Sequence, residues 1–137
     1  EDNHRYSMRD QLIANSIVVF EFLQEALPQD AARVWEALHI WIRYVPVRPN
    51  VIAETPLLPQ TVQKLQQADS VFLEAATDVV VEVLRMYPSH HPGNEDLVRR
   101  MIPLLSQLPL EQALLSHDED IQRAYCRVVT EMGESYL

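Results

Sequence analysis

Ala31-Ala32-Arg33-Val34-Trp35-Glu36-Ala37-Leu38-His39-Ile40-Trp41-Ile42-Arg43-Tyr44-Val45 decides the fold class. Ala31, Val34, Trp35, Leu38, Trp41, Ile42 and Val45 fall at the i, i+3, i+4 spacing of an amphipathic helix. The helix is predicted from about Asp30 to Val45, with Pro46 and Pro49 stopping it. Trp35 and Trp41 lie well over one turn apart, so their rings point in different directions. One is expected to pack within its own hairpin and the other against a neighbour.

Five more segments read as helices on either side. The first runs from about Tyr6 to Leu27, striped by Leu12, Ile13, Ile17, Phe20 and Leu23 and ended by Pro28. The third, about Pro56 to Gln67, opens with Thr55 as N-cap and Pro56 in the first turn, and it is the most polar. The fourth, about Ser70 to Tyr87, is apolar over most of its circumference, as a helix packed on several sides must be. The loop 88–93 follows, and Asn94 is expected to cap the fifth helix, which Pro103 kinks. A short extra turn is expected between Pro109 and Leu115. A capping box, Ser116-x-x-Glu119, then opens the sixth helix.

Helices two, four and six start near residues 30, 70 and 117. That spacing, ~40–47 residues, is the range of HEAT and armadillo hairpins, whereas tetratricopeptide and ankyrin units repeat at about 33–34. The expectation is an all-α HEAT-repeat solenoid segment, residues 1–137, of about six helices in antiparallel hairpins. Helices two, four and six would form one layer, with one, three and five in the other. Periodicity alone leaves an irregular helical bundle equally open.

Composition narrows the function classes. The chain of 137 residues is 47% apolar, enough to build a core, and no apolar run is long enough to span a bilayer. Its net charge of −9, with 11 basic residues, argues against nucleic-acid binding, which requires neutralising phosphates. Two glycines, Gly93 and Gly133, give little material for phosphate-cradling loops or nucleophile elbows. One cysteine, Cys126, rules out an internal disulfide and fits a reducing compartment. Glu1-Asp2-Asn3-His4-Arg5 lacks the features of a signal peptide and reads as a fragment boundary.

No catalytic, cofactor-binding or metal-binding constellation is expected. His90-His91 has no carboxylate at ligand spacing. Cys126 is read as a small packing residue with no histidine placed to activate it. The one candidate binding feature is the acidic cluster Asp118, Glu119 and Asp120. The dipole of helix six accounts for it, and an acidic patch for a basic partner is the functional reading.

Three stretches resemble the importin-β (karyopherin-β) superfamily, in particular its transportin-SR and importin-thirteen branch. They are Leu38, Trp41 and Val45 at the end of helix two, Leu73-Glu74-Ala75-Ala76-Thr77-Asp78-Val79-Val80, and the run Tyr125-Cys126-Arg127-Val128-Val129-Thr130-Glu131-Met132-Gly133-Glu134-Ser135-Tyr136-Leu137. The resemblance implies part of a nuclear transport receptor that moves between cytoplasm and nucleus. Its implied partners are protein cargo such as SR-type splicing factors, the GTPase Ran and nucleoporins, with no direct nucleic acid or membrane contact. It also implies that helices two to five make two full hairpins and that this segment is scaffold and interaction surface. Two rivals stand beside it: a HEAT scaffold unrelated to transport, and an all-α enzyme using Glu82, His90 or Asp118.

Overall fold

The computed structural model describes residues 2–67 and 72–137. Nine helices and no strand occur among them: α1 (Asp2–Ala14), α2 (Ser16–Ala26), α3 (Ala31–Tyr44), α4 (Pro49–Glu54), α5 (Leu57–Gln66), α6 (Leu73–Met86), α7 (Glu95–Ser106), α8 (Leu110–Leu114) and α9 (Glu119–Tyr136). None is long and apolar enough to cross a membrane.

The first predicted helix bends at Asn15. Its Nδ2 donates to the Gln11 carbonyl at 2.8 Å, local competition typical of asparagine. Backbone bonds still cross the bend, Asn15 N to Gln11 O at 2.9 Å and Val19 N to Asn15 O at 3.0 Å, so α1 and α2 behave as one bent rod. Helix α4 was not expected. Pro49 opens it instead of ending its predecessor, because the first helical position has no N–H partner to lose. The predicted start of α6 at Ser70 lies outside the described residues.

Caps differ in detail from expectation. The hydroxyl of Thr55 accepts from Leu57 N at 3.3 Å, but α5 opens one residue later than expected, with Pro56 at the N-cap position. Helix α9, however, is capped by Asp118, which accepts from Asp120 N at 2.9 Å and Ile121 N at 3.4 Å. Ser116 accepts from Asp118 N and so ties the preceding turn, and the Ser116–Glu119 box is not formed. Asn94 stands at the N-cap position of α7, but its Nδ2 donates to the Pro88 carbonyl at 3.0 Å and staples the loop shut. Pro103 sits inside α7 without ending it.

The helices lie in two layers. In one, α6 packs between α3 and α9. In the other, α2 neighbours α5, and α7 lies against α4 and α5. Sequential pairs in close contact are α2 with α3, α5 with α6, and α8 with α9. Each hairpin therefore pairs a second-layer helix with the first-layer helix after it. The resemblance implied the opposite phase.

Within each layer neighbours run parallel. Trp35 meets Phe72 edge-on with ring centroids 5.6 Å apart, Arg43 reaches Glu82, and at the far end Tyr87 donates to the Val47 carbonyl at 2.6 Å. Asp78 meets Arg127, Arg85 meets Glu131, and Ser89 N donates to Ser135 O at 2.9 Å. In the second layer Gln66 Nε2 donates to Gln107 Oε1 at 3.3 Å. The bonded residues stand 40, 41 and 46 positions apart, so the chain meets itself at a similar interval in both layers. An up-and-down bundle would place antiparallel neighbours side by side.

The tryptophans divide as expected. Trp41 Nε1 donates to Ser16 Oγ at 3.0 Å within the α2–α3 hairpin, and fully buried Trp35 packs toward α6. Ala76 is 0% exposed, whereas Ala75 is half-buried at the rim between α3 and α6. Ala76→Leu should therefore overpack the contact and cost about 1–3 kcal/mol. Gln63→Leu, on the exposed face of α5, should change stability by no more than ~0.5 kcal/mol in the same denaturant titration.

Burial raises the phenol groups of Tyr87 and Tyr125 above their ordinary value and pushes Tyr136 up to about 12. The unfolded chain releases these protons first, from about pH 10. Between there and the folded values the native state binds more protons, so stability is complete below about pH 10 and falls as pH rises. Chemical denaturation from pH 8 to 11.5 should show this loss, at up to about 1.4 kcal/mol per pH unit for each tyrosine. Tyr87→Phe should flatten the slope.

Candidate interaction surface

Charge and burial meet halfway along α6. The Glu82 side chain is 4% exposed and lies among buried Val79, Val80, Val83 and Leu84. A carboxylate so far from water needs cations. His39 Nε2 and Arg43 Nε approach from α3, each at 3.9 Å, and Arg85 Nη1 stands at 3.5 Å on the same helix. Arg85 Nε also lies 3.5 Å from Glu131 Oε1 on α9, to which Ser135 Oγ donates at 3.3 Å. Arg127 makes a second tie, 2.9 Å from Asp78. One line of alternating charge thus joins all three first-layer helices. Enclosed by cations and apolar side chains, Glu82 offers no open face to a substrate.

Outward from this line the surface is acidic between α3 and α6 and mixed in charge between α6 and α9. A hollow of about 410 Å³ between α3 and α6 is lined by Trp35, Glu36, His39, Glu74, Ala75 and Asp78. A smaller one of about 150 Å³, between α6 and α9, shares Glu74 and adds Asp120, Arg123 and Arg127. Of the predicted acidic cluster, Asp118 is committed to capping α9, Asp120 joins this face 3.9 Å from Arg123, and Glu119 is exposed. Glu36 and Glu74 were missed because they look like ordinary solvated helix positions. Their spacing was the available signal, since Glu36, Glu74 and Asp120 recur at about the repeat interval.

The remaining candidates are scattered. His90 and His91 are exposed, with ring centroids 5.3 Å apart. Among the described residues no three His, Cys, Asp or Glu side chains are grouped to hold a metal ion. Cys126 is exposed and not the packing residue the sequence suggested, because α9 turns Tyr125 and Val128 inward. Arg99 sits 3.5 Å from Asp96 on the open face of α7. Glu82, His90 and Asp118 are not brought together. Since α6 and α9 run parallel, His90 follows the end of one while Asp118 begins the other, and Glu82 is buried between.

Among the described residues, Arg85 is the cation shared by both buried carboxylates. Arg85→Met should destabilise the protein by about 1–3 kcal/mol at pH 7. A change below ~0.5 kcal/mol in urea titrations would show that Arg85 does not hold the two carboxylates.

No family model, curated protein or solved structure matches this chain.

Proposed function

We propose that this chain is a HEAT-type solenoid segment of a nuclear transport receptor, acting as scaffold and protein-interaction surface. The observation that carries the architectural part is the parallel stacking of α3, α6 and α9, tied at their ends by hydrogen bonds between residues 40 and 46 positions apart. Parallel neighbours at that interval suit a helical-repeat array, in which each hairpin contacts the next. The transport part is supported by the resemblance at helix two, Leu73–Val80 and Tyr125–Leu137. The acidic face around Glu36, Glu74 and Asp120 supports binding of protein partners with basic surfaces, through complementary potential. In this reading cargo, Ran and nucleoporins are partners of the whole receptor, which moves between cytoplasm and nucleus.

The test is nucleotide-dependent binding. The complete polypeptide containing this segment should bind Ran loaded with a non-hydrolysable GTP analogue at least about 100-fold more tightly than Ran–GDP, by calorimetry. Equal affinity, or none, would overturn the transport reading and leave the alternative, a HEAT scaffold with no tie to transport.

A further inference from the structure

A shallow groove of about 440 Å³ lies where α1 crosses the C-terminal ends of α3 and α6. Its apolar floor includes Met8, Leu12, Tyr44 and Met86, which are 55%, 41%, 71% and 42% exposed. Large apolar side chains concentrated on open surface mark a contact site, and methionines adapt to whatever fills it. Among the described residues, both charged groups that line the groove are arginines, Arg9 and Arg43. That is unusual on a chain with 20 acidic and 11 basic residues, and it selects an apolar segment carrying carboxylates.

The same chain exposes such a segment at its other end. Leu114 and Leu115, 43% and 74% exposed at the close of α8, are followed within five residues by Asp118, Glu119 and Asp120. Asp118 is occupied as the cap of α9, so the remaining negative charge is on exposed Glu119 and on Asp120, which is also exposed and 3.9 Å from Arg123. The groove sits at the C-terminal ends of the first-layer helices and the α8–α9 corner at the N-terminal end of the last one.

We infer that the α8–α9 corner of one molecule docks into the α1–α3–α6 groove of a second copy. Leu114 and Leu115 fill the apolar floor, and Glu119 and Asp120 meet Arg9 and Arg43. Two different surfaces meet, so the contact is head-to-tail and does not close after two molecules. This inference does not rest on the transport reading and stands or falls separately.

Tyr44→Asp spoils only the groove and Leu115→Asp only the corner. Both side chains lie largely outside the core, and thermal melts check that each variant folds. In sedimentation velocity from about 10 μM to about 1 mM, wild type should show a rising average mass, reduced by added salt. Each variant alone should stay monomeric. Mixed in equal amounts they should associate again but stop at a dimer, since the pair has one intact groove facing one intact corner. Phe22→Asp, on the open face of α2, should associate like wild type. Wild type that stays monomeric, a mixture that fails to pair, or either groove or corner variant that self-associates like wild type would overturn the inference. Loss of association in Phe22→Asp would overturn it in favour of end-to-end stacking through α2.

Discussion

A helix that is apolar around most of its circumference is stable only if neighbours close on it from several sides, and Leu73–Met86 imposes that demand on the rest of the chain. Nine of its residues are buried, from Leu73 through Leu84. The hydroxyl of Thr77 donates to the Leu73 carbonyl at 2.6 Å, so it needs no outside partner. Ala76 allows close approach on one face, and the valines fill the others. α3, α5 and α9 take up the three exposed flanks, and from these contacts both layers follow.

Much of this was legible because helical periodicity is a local signal. The stripes of α3, α6, α7 and α9 and the opposite roles of Trp35 and Trp41 follow from spacing on a single helix. What failed was punctuation. Pro49 was read as a stop although proline starts a helix as readily as it ends one, and at Asn15 the rod bends, with Phe20 and Leu23 of the predicted stripe buried but Leu12 and Ile17 exposed. Ser116 and Asp118 both satisfy the sequence rule for a cap, and only backbone geometry chose Asp118.

The interaction surface was less legible because it is built across helices. The sequence places Glu82 inside the apolar run Val79-Val80-Val81-Glu82-Val83-Leu84 without indicating which groups meet it. Those could be named only once the register between helices was known. His39 and Arg43 lie about forty residues before Glu82, and Glu131, which shares Arg85 with it, lies about fifty after, so no local pattern links them. The same holds for Glu36, Glu74 and Asp120, whose common face exists only after the helices stack.

The ion pairs of α6 also divide its two flanks mechanically. On the α9 side, Arg127 grips Asp78 at 2.9 Å, a short contact whose energy rises steeply when stretched. On the α3 side, Arg43 Nε and the His39 ring each stand 3.9 Å from Glu82, while Arg85 reaches it from α6 itself at 3.5 Å. The α9 flank is thus tied by a close ion pair, and the α3 flank by longer contacts that converge on one buried carboxylate.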